Sequence, residues 1–213
     1  MSEIHDHLSS IRKQYTSKAI QKQDMLESPF DQFDKWLQEA MEAQVDNLSV
    51  MNLSTASKQG APSSRIVLLR DYGPDGFVFY TNYNSRKGEQ IDENPQAALN
   101  FWWPEVGRQV RIEGSVEKIS AESSDKYFDS RPPESKLSAW ASPQSAVIPN
   151  RQSLEDEVAR LKSDDPIKRP AHWGGYIVKP FLFEFWQSRS NRLHDRFQFK
   201  LEGSNWVISR LAP

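Results

Sequence analysis

The sequence predicts a mainly β protein with peripheral helices, in which antiparallel strands form a closed or partly closed, Greek-key-like barrel. Three observations lead to this class. Short stretches that alternate apolar and polar residues recur between Gly, Pro and Asn turn signals. Helical segments separate some of these stretches, and closure is the usual way in which such a sheet avoids exposed edges. Neither G-x-G-x-x-G nor G-x-x-x-x-G-K-[ST] occurs, so nothing indicates a parallel nucleotide-binding sheet.

The first predicted elements are an N-terminal arm and a helix. Residues 1–27 carry many charges with weak apolar periodicity, so we expect a mobile or partly helical arm ahead of one domain over residues 28–213. In SPFDQFDKWLQEAMEAQV, Ser28 is placed to cap a helix that starts at Pro29. Its expected apolar stripe consists of Phe30, Phe33, Trp36, Leu37, Met41 and Val45.

The central and C-terminal parts of the chain are predicted to be mostly strands. Between residues 49 and 120 the strand-like stretches are SVMNLSTAS, SSRIVLLRDY, GFVFYTN, AALNFWW and RQVRIEGSVEKIS. A short helix in NSRKGEQIDENP interrupts them and should end before Pro95. Two short helices broken at Pro132 and Pro133 follow, and then a charged amphipathic helix in RQSLEDEVARLKSD. The last strands are WGGYIVKP, FLFEFWQS, DRFQFKLE and NWVISRLAP, with EGSN as the final hairpin turn.

The composition excludes several classes of function. With 37% hydrophobic and 26% charged residues, the 213-residue chain has the composition of a globular protein. A net charge of -2 gives no overall field to attract nucleic acid, and without cysteine there is no disulfide, thiolate zinc site or cysteine nucleophile. The polar N-terminus lacks a signal-peptide core, and no stretch approaches a membrane span. We therefore expect a cytoplasmic protein that binds neither membranes nor nucleic acid.

One candidate anion site lies in YTNYNSRKGEQ, where Arg86 and Lys87 fall in the first turn of a helix that starts at Asn84 or Ser85. A helix N-terminus carries partial positive charge, so two cations there are unfavourable unless an external anion such as a phosphate joins them. The alternative, equally weighted on this stretch alone, is that both side chains point into water at a cost of about tenths of a kcal/mol.

Three other stretches add cations. In RIVLLR, Arg65 and Arg70 would point to opposite faces of a regular strand, and two exposed strand ends are the simpler reading. In DKYFDSRPPES, helical spacing would place Tyr127 and Arg131 on one face, with Ser135 further on, where they could grip one phosphate. The alternative is that Tyr127 packs and Arg131 caps the helix end.

The fourth stretch is SRSNRLHDRF, residues 188–197. An extended segment would place Arg192, His194 and Arg196 on one face with Asp195 opposite, a row that is unfavourable without an anion or a ring to stack on. A solvated cationic edge strand is the alternative. Gln109, Gln144 and Ser145 could contact a polar ligand or simply be satisfied surface groups. No metal site is predicted, since His5 and His7 lie in the arm and His172 has no evident partner.

Taken in order, several stretches resemble the pyridoxamine 5'-phosphate oxidase family. They are RIVLLR, FVFYTNYNSRKGEQI, RQVRIEG, YFDSRPPESKLSAWASPQS, HWGGY, EFWQ and NRLHDRF with the terminal RLAP. The resemblance runs from about residue 28 to 213, and IRKQYT at residues 11–16 is similar to the family's N-terminal segment. Each motif is modest alone, but their order and combination are specific.

The resemblance implies a homodimeric FMN-binding split β-barrel with the flavin at the subunit interface. It implies an oxidase that converts pyridoxamine 5'-phosphate and pyridoxine 5'-phosphate to pyridoxal 5'-phosphate in vitamin B6 salvage. Oxygen (O2) is the acceptor, hydrogen peroxide is released, and the amine also yields ammonia. The protein's part is to fix the reacting carbon against the flavin, which supplies the redox chemistry.

The resemblance also implies a set of site residues. The cofactor set is Arg65, Ile66, Val67, Leu68, Arg70, Tyr80, Thr81, Ser85, Arg86, Lys87, Gln109, Gln144, Ser145, Trp186 and Arg196. The substrate set is Arg70, Tyr127, Arg131, Ser135, Arg192, Leu193 and His194, and the catalytic set is Arg192, His194 and Arg196. We expect His194 to position the substrate rather than act as a base, because neighbouring cations oppose its protonation.

Arg70 departs from the lysine that is usual in the family, so phosphate contact should persist with an altered affinity. Arg12 and Tyr15 motivate the hypothesis that the N-terminal arm closes over the pocket. Two other functions remain open. A flavin-binding barrel with another substrate, or with no turnover, need not keep Tyr127, Arg131 and Ser135. A nucleic-acid-binding barrel is disfavoured by the near-neutral charge.

Overall fold

The structure is a computed structural model that describes residues 18–162 and 166–213. These residues form two compact units. The larger unit comprises residues 49–101 and 111–182, and the described part of the smaller unit comprises residues 18–48, 102–110 and 183–213. Arg12 and Tyr15, on which the hypothesis of a closing arm depends, lie outside the described residues.

The larger unit is built mainly from antiparallel strands. They are β1 (Val50–Ala56), β2 (Pro62–Leu68), β3 (Asp71–Gly73) and β4 (Gly76–Asn82), with most of β5 (Gln96–Trp103), β6 (Arg108–Lys118) and β7 (Trp173–Gln187). Their order in the sheet is β2-β1-β5-β6-β7-β4-β3. In the β1–β2 pair Leu53 lies opposite Arg65, and in the β4–β7 pair Tyr80 lies opposite Gly175. The core side is apolar, as the fully buried Leu53, Phe79 and Val178 illustrate.

Four helices connect these strands. They are α2 (Arg86–Glu93), α3 (Ala121–Asp129), α4 (Pro133–Ala141) and α5 (Gln152–Leu161). Ser120 caps α3, because its Oγ accepts a hydrogen bond from the backbone N–H of Ser123 at 3.0 Å. The Pro132–Pro133 pair separates α3 from α4 as predicted, since proline cannot continue a helix but is suited to its first turn.

The smaller unit contains α1 (Pro29–Glu42), β8 (Asp195–Glu202) and β9 (Asn205–Leu211). Ser28 caps α1 and Pro29 begins it, as predicted. Its buried stripe contains Phe33, Trp36 and Ala40, but Met41 is 61% exposed, so its predicted burial is wrong. Phe33, Trp36 and Ala40 follow the 3.6-residue period of the helix and share one face. Met41, the residue after Ala40, therefore lies off that face.

The described end of the arm is held to the smaller unit. Residues Lys22–Asp24 form a 3₁₀ turn. The backbone N–H of Ile20 donates to the Asp195 carboxylate at 3.1 Å, and the Arg210 guanidinium donates to the Ile20 carbonyl at 2.8 Å. Met25 is buried.

Two strand predictions need correction. SSRIVLLRDY is not one strand, because the chain changes partner after Leu68: Leu69 N–H donates to Ser49 O at 2.8 Å, and Arg70 N–H donates to Val78 O at 2.9 Å. Conversely, WGGYIVKP and FLFEFWQS form the single strand β7, which continues through Pro180. The fixed φ of proline is compatible with extended backbone, so it ends a strand only where its missing N–H is needed.

The observed elements confirm the predicted mainly β class with peripheral helices. In the part of the chain that the structure describes, no helix is both long enough and apolar enough to cross a bilayer.

Candidate functional site

A cavity of about 1070 Å³ in the larger unit gathers most of the predicted site residues. Its walls come from β2, β4, the first turn of α2, the α3–α4 junction and the segment after α4. The predicted residues that line it are Arg65, Ile66, Val67, Leu68, Arg70, Tyr80, Thr81, Arg86, Lys87, Tyr127, Arg131, Ser135, Gln144 and Ser145. Arg65 and Arg70 thus share one cavity instead of facing opposite ways, because β2 ends at Leu68 and its alternation does not extend to Arg70.

The charged side chains that line this cavity are all positive among the described residues. Five of its lining side chains are cationic, namely Arg65, Arg70, Arg86, Lys87 and Arg131, and none of the described lining residues is acidic. Lys87 is buried and Arg65 and Arg131 are half-buried, and removal from water is costly for an unpaired charge. The cavity therefore has the electrostatics of a site for anionic ligands.

Lys87 is the most buried of these cations, with 7% of its surface exposed. Its Nζ donates to three neutral acceptors: Gln144 Oε1 at 3.0 Å, and Thr81 Oγ1 and Ser85 Oγ at 3.1 Å. Burial lowers the pKa of Lys87 to about 8, and the nearby Arg65 adds to the shift. An anion beside the ammonium would reverse this shift.

The start of α2 explains why Lys87 lies there. Ser85 precedes the helix and is fully buried, with its Oγ donating to Asn82 O at 2.7 Å. Gly88 lets α2 pass close to the preceding turn, because a Cβ at this position would lie 1.9 Å from Tyr83 O. Arg86 and Lys87 therefore begin the helix at its positive end, where Lys87 is buried and Arg86 is exposed, and such an end favours a bound anion.

Arg65 is held by a network of neutral groups. Its guanidinium donates to Leu53 O at 3.2 Å, Thr55 Oγ1 at 2.7 Å and Ser63 Oγ at 2.5 Å. Both hydroxyls donate in turn to Gln90 Oε1 at 2.6 Å. Burial, and then the charge of Arg86, lower the pKa of Arg65. The buried Gln90 therefore anchors an oriented but uncompensated guanidinium.

The other end of the cavity carries Tyr127, Arg131 and Ser135. α3 ends at Asp129, so Arg131 lies beyond the helix, and its backbone N–H donates to Phe128 O at 3.1 Å. The Arg131 Nη1 atom is buried and makes no hydrogen bond within the described residues. Burial lowers the pKa of Arg131, and the charge of Arg70 acts in the same direction. An anion of the ligand is the partner that this geometry lacks.

Three aromatic rings form a parallel stack behind these groups. Tyr80 and Tyr127 lie 3.8 Å apart between ring centroids, and Tyr80 and Trp173 lie 5.5 Å apart, both at an interplanar angle of 13°. Arg131 Cζ lies 4.5 Å from the Trp173 ring centroid. Gly175 makes room for the stack, because a Cβ there would lie 2.9 Å from Tyr80 Cε1.

The remaining predicted residues belong to the smaller unit. Arg196 Nε donates to the buried Glu184 carboxylate at 2.7 Å, and this ion pair raises the pKa of Arg196. Arg192 is part of a 3₁₀ turn, Ser190–Arg192, and has a φ of 60°. The predicted extended row of Arg192, His194 and Arg196 is therefore wrong: only Arg196 belongs to a strand, and it has a protein partner.

His194 lies against the indole of Trp186, with 4.5 Å between ring centroids. Its Nδ1 accepts a hydrogen bond from the Arg189 backbone N–H at 3.1 Å, which places the proton of the neutral ring on Nε2. Burial and Arg192 lower the pKa of His194. Leu193 is 69% exposed, and Gln109 is half-buried on β6.

Asp195, which the sequence places in the middle of the cationic stretch, is buried. It pairs with Arg210 at 2.7 Å and more loosely with Arg189 at 3.6 Å. Its role within the smaller unit is thus to neutralise cations from β9 and from the preceding turn.

Three residues that shape these sites were not predicted. Gln90 was part of the quoted GEQ, and its position three residues after Lys87 on the same helix face was an available signal. Glu184 was visible as the single acid in FLFEFW, which indicates a buried cation partner. Trp173 appeared within WGGYIVKP and HWGGY, but nothing local in the sequence connects it to Tyr80 or Arg131.

Known sequences resemble this chain over most of its length. Residues 37–163 match the family profile described as pyridoxamine 5'-phosphate oxidase, and residues 173–213 match that of the pyridoxine 5'-phosphate oxidase C-terminal dimerisation region. The pyridoxine/pyridoxamine 5'-phosphate oxidase of Haemophilus influenzae is 50% identical over 208 residues, which cover 97% of this chain and 99% of that protein. The protein of the same name from Polynucleobacter asymbioticus is 50% identical over 210 residues, covering 98% and 100%.

Solved structures resemble it as well. PhzG from Burkholderia lata, solved in complex with tetrahydrophenazine-1-carboxylic acid, has a TM-score of 0.88 at 28% identity and covers 93% of this chain and 100% of its own. A pyridoxamine 5'-phosphate oxidase-related, FMN-binding protein from Nostoc punctiforme has a TM-score of 0.71 at 18% identity, covering 89% and 100%. The second likeness concerns the fold alone. Together they confirm the predicted split-barrel class.

Proposed function

This chain belongs to the pyridoxamine 5'-phosphate oxidase family, and from that premise we propose that it oxidises pyridoxamine 5'-phosphate and pyridoxine 5'-phosphate to pyridoxal 5'-phosphate in vitamin B6 salvage. Oxygen accepts two electrons and two protons and becomes hydrogen peroxide. With the amine substrate, water supplies the aldehyde oxygen and the nitrogen leaves as ammonia. The observation that carries the proposal is the cavity with five cationic side chains and no acid among its described lining residues. Two phosphorylated ligands supply the missing negative charge.

FMN fits one end of this cavity. The donors there are those that a flavin phosphate requires: the first turn of α2 with Arg86, the buried Lys87, and the oriented guanidinium of Arg65. Ile66, Val67 and Leu68 on β2, with Tyr80, Thr81, Gln144 and Ser145, line the space for the rest of the cofactor. When bound, FMN supplies the two-electron oxidation and the transfer of electrons to oxygen.

The substrate phosphate occupies the other end. Tyr127, Arg131 and Ser135 hold it, and Arg70, whose Cζ lies 5.9 Å from the Tyr127 ring centroid, adds a second guanidinium. Gripping a phosphate remote from the reacting carbon fixes the orientation of the pyridine ring, which contributes to the rate through positioning. The same set separates this function from that of a flavin-binding barrel with an unphosphorylated substrate.

We further propose that the enzyme is a homodimer, since residues 173–213 match a dimerisation region. FMN then lies at the subunit interface, where a second copy contributes Gln109, Trp186 and Arg196. Arg192, Leu193 and His194 cover the substrate. His194 positions it through its Nε2–H, because the Nδ1 acceptor contact and the lowered pKa both favour the neutral ring. Cysteine-free composition is consistent with the cytoplasm as the compartment.

A visible absorption spectrum tests the proposal. We expect the purified protein to bind FMN, and its flavin band to bleach when pyridoxamine 5'-phosphate is added without oxygen. Admission of oxygen should restore the band and release hydrogen peroxide. A protein that binds FMN but is bleached by neither phosphorylated vitamer would overturn the proposed substrate, and a protein that does not retain added FMN would overturn the enzyme function.

A further inference from the structure

We propose that Trp173 is a positioning residue that holds Arg131, and through the ring stack Tyr127, ready to bind the phosphate of the substrate. The inference rests on the proposed function and adds to it a residue that none of the expected cofactor, substrate and catalytic sets included. Trp173 begins β7, is 7% exposed, and lines the cavity.

The first argument is how Arg131 is held. Its Cζ lies 4.5 Å from the Trp173 centroid and 5.5 Å from the Phe128 centroid, so two ring faces fix its guanidinium. A cation is attracted to the face of an aromatic ring, most strongly to tryptophan. A carboxylate could hold an arginine equally well, but it would neutralise the charge and occupy the N–H donors. A ring face does neither.

The second argument is the buried Nη1 of Arg131, which makes no hydrogen bond within the described residues. A buried donor left unpaired is unfavourable, and a phosphate oxygen is a partner that would complete it. The ring faces therefore preserve an arginine whose hydrogen-bonding capacity is available to a phosphate.

The third argument connects Trp173 to Tyr127. These two rings lie 6.2 Å apart at 4°, and Tyr80 stacks on both. Further contacts hold both the backbone and the ring of Trp173. Arg169 donates to the Trp173 carbonyl at 2.6 Å and to Asp125 of α3 at 2.7 Å, and Phe128 of α3 packs edge-on to the indole at 5.2 Å. Trp173 thus holds Tyr127 and Arg131 in register from one rigid position.

The test separates phosphate recognition from general stability. The probes are 4-deoxypyridoxine 5'-phosphate, whose methyl group cannot be oxidised to the aldehyde, and 4-deoxypyridoxine, which lacks the phosphate. Their Kd values are measured by titration calorimetry with the FMN-loaded protein. For Trp173→Leu we expect the Kd of the phosphorylated probe to rise about tenfold, because Arg131 is half-buried and its cation–π contact lies between the exposed and the desolvated case. The Kd of the unphosphorylated probe should stay within twofold.

Two further variants make the result specific. Trp173→Phe retains a ring face and should recover most of the affinity. Arg131→Ala should weaken the phosphorylated probe more than Trp173→Leu does, and the free-energy loss of the double variant Arg131→Ala with Trp173→Leu should be clearly smaller than the sum of the two single losses. If Trp173→Leu does not fold, Trp173→Met, which also lacks a ring face, gives the same comparison with and without Arg131→Ala.

The matched control is Trp140→Leu in α4. Trp140 also belongs to the larger unit, but it is 43% exposed and its indole donates to Lys168 O at 2.7 Å. We expect no change for either probe. Equal losses for both probes in Trp173→Leu, or additive losses in the double variant, would overturn the positioning role while the proposed function stands. A wild-type protein that binds neither probe would overturn the proposed function itself.

Discussion

The larger and the smaller unit each contain a cluster of cationic side chains, and the two clusters are neutralised in different ways. In the cavity of the larger unit, Arg65 and Lys87 are held by hydroxyl, amide and carbonyl oxygens, and Arg131 by ring faces. In the smaller unit, Arg196 is paired with Glu184 and Arg210 with Asp195. Neutral groups orient a cation without cancelling its charge, whereas carboxylates cancel it. The number of arginines in a region therefore indicates less about ligand binding than what holds each of them.

The largest expected effect is that of Lys87→Met on FMN binding. This change removes a charge that the flavin phosphate neutralises in the proposed site, and a buried charge-assisted hydrogen bond contributes about 1.5–3 kcal/mol. We expect the Kd for FMN, measured by quenching of flavin fluorescence, to rise at least about tenfold and up to about a hundredfold. The free energy of unfolding of the FMN-free protein should change by less than about 1 kcal/mol, because no carboxylate among the described residues pairs with Lys87.

In the smaller unit the same kind of change should act on stability instead. Glu184→Gln keeps the shape of the side chain but removes the charge that neutralises Arg196, and Glu184 exposes only 4% of its side chain. Since Arg196 is 27% exposed and also donates to the Ala212 carbonyl at 2.6 Å, we expect a loss of about 2 kcal/mol rather than the larger cost of a fully buried pair. Chemical denaturation of the FMN-free protein measures it.

The proposed difference between the two clusters is wrong if Lys87→Met and Glu184→Gln have the same effect on stability. A Lys87→Met protein that unfolds as easily as Glu184→Gln would show that Lys87 is structural. A Glu184→Gln protein of unchanged stability would show that Arg196 does not depend on its carboxylate. Lys179 and Glu117 form an exposed pair at 2.6 Å, and Glu117→Gln is the control, with an expected loss under about 1 kcal/mol.

Sequence patterns predicted the cluster in the larger unit better than the one in the smaller unit. Arg86 and Lys87 could be singled out from local information, because their unfavourable position at a helix N-terminus is visible within YTNYNSRKGEQ, although this stretch alone favours an anion site and a solvated pair equally. The pairing of Arg196 with Glu184 depends on β8 lying beside the end of β7, and the stack of Tyr80, Tyr127 and Trp173 joins positions 47 and 46 residues apart, as the numbering gives. Local periodicity carries no information on such long-range contacts.

FMN affinity should also depend on pH, through the ionisation of Lys87. The pKa of Lys87 is about 8 in the free protein, against an ordinary value of 10.5, and a bound phosphate favours the protonated amine. FMN affinity should therefore be constant from about pH 7 to 8 and then fall by up to tenfold for each further pH unit. Fluorescence titrations between pH 7 and 9.5 measure this, and Lys87→Met should show no such decline.

The lowered pKa of Lys87 affects the stability of the FMN-free protein in the opposite direction to FMN affinity. Because the folded pKa of Lys87 is lowered, the unfolded chain binds more protons between about pH 8 and 10.5, so this residue makes stability rise with pH across that window. A decline of FMN affinity that persists in Lys87→Met would assign the titration to another group.

The smallest expected effect is that of Gln90→Leu, because Gln90 acts on the proposed FMN site only through other side chains. Gln90 Oε1 accepts from Thr55 and Ser63, and these hydroxyls accept from Arg65, so the substitution loosens a guanidinium without removing its charge. A neutral hydrogen bond contributes about 1 kcal/mol, which predicts a Kd for FMN about fivefold higher. The exposed Gln152→Leu on α5 is the matched control and should leave the Kd unchanged. If Gln90 acts through Arg65, then Gln90→Leu has no further effect in an Arg65→Leu background; a full fivefold effect there would mean that Gln90 supports the cofactor site by another route.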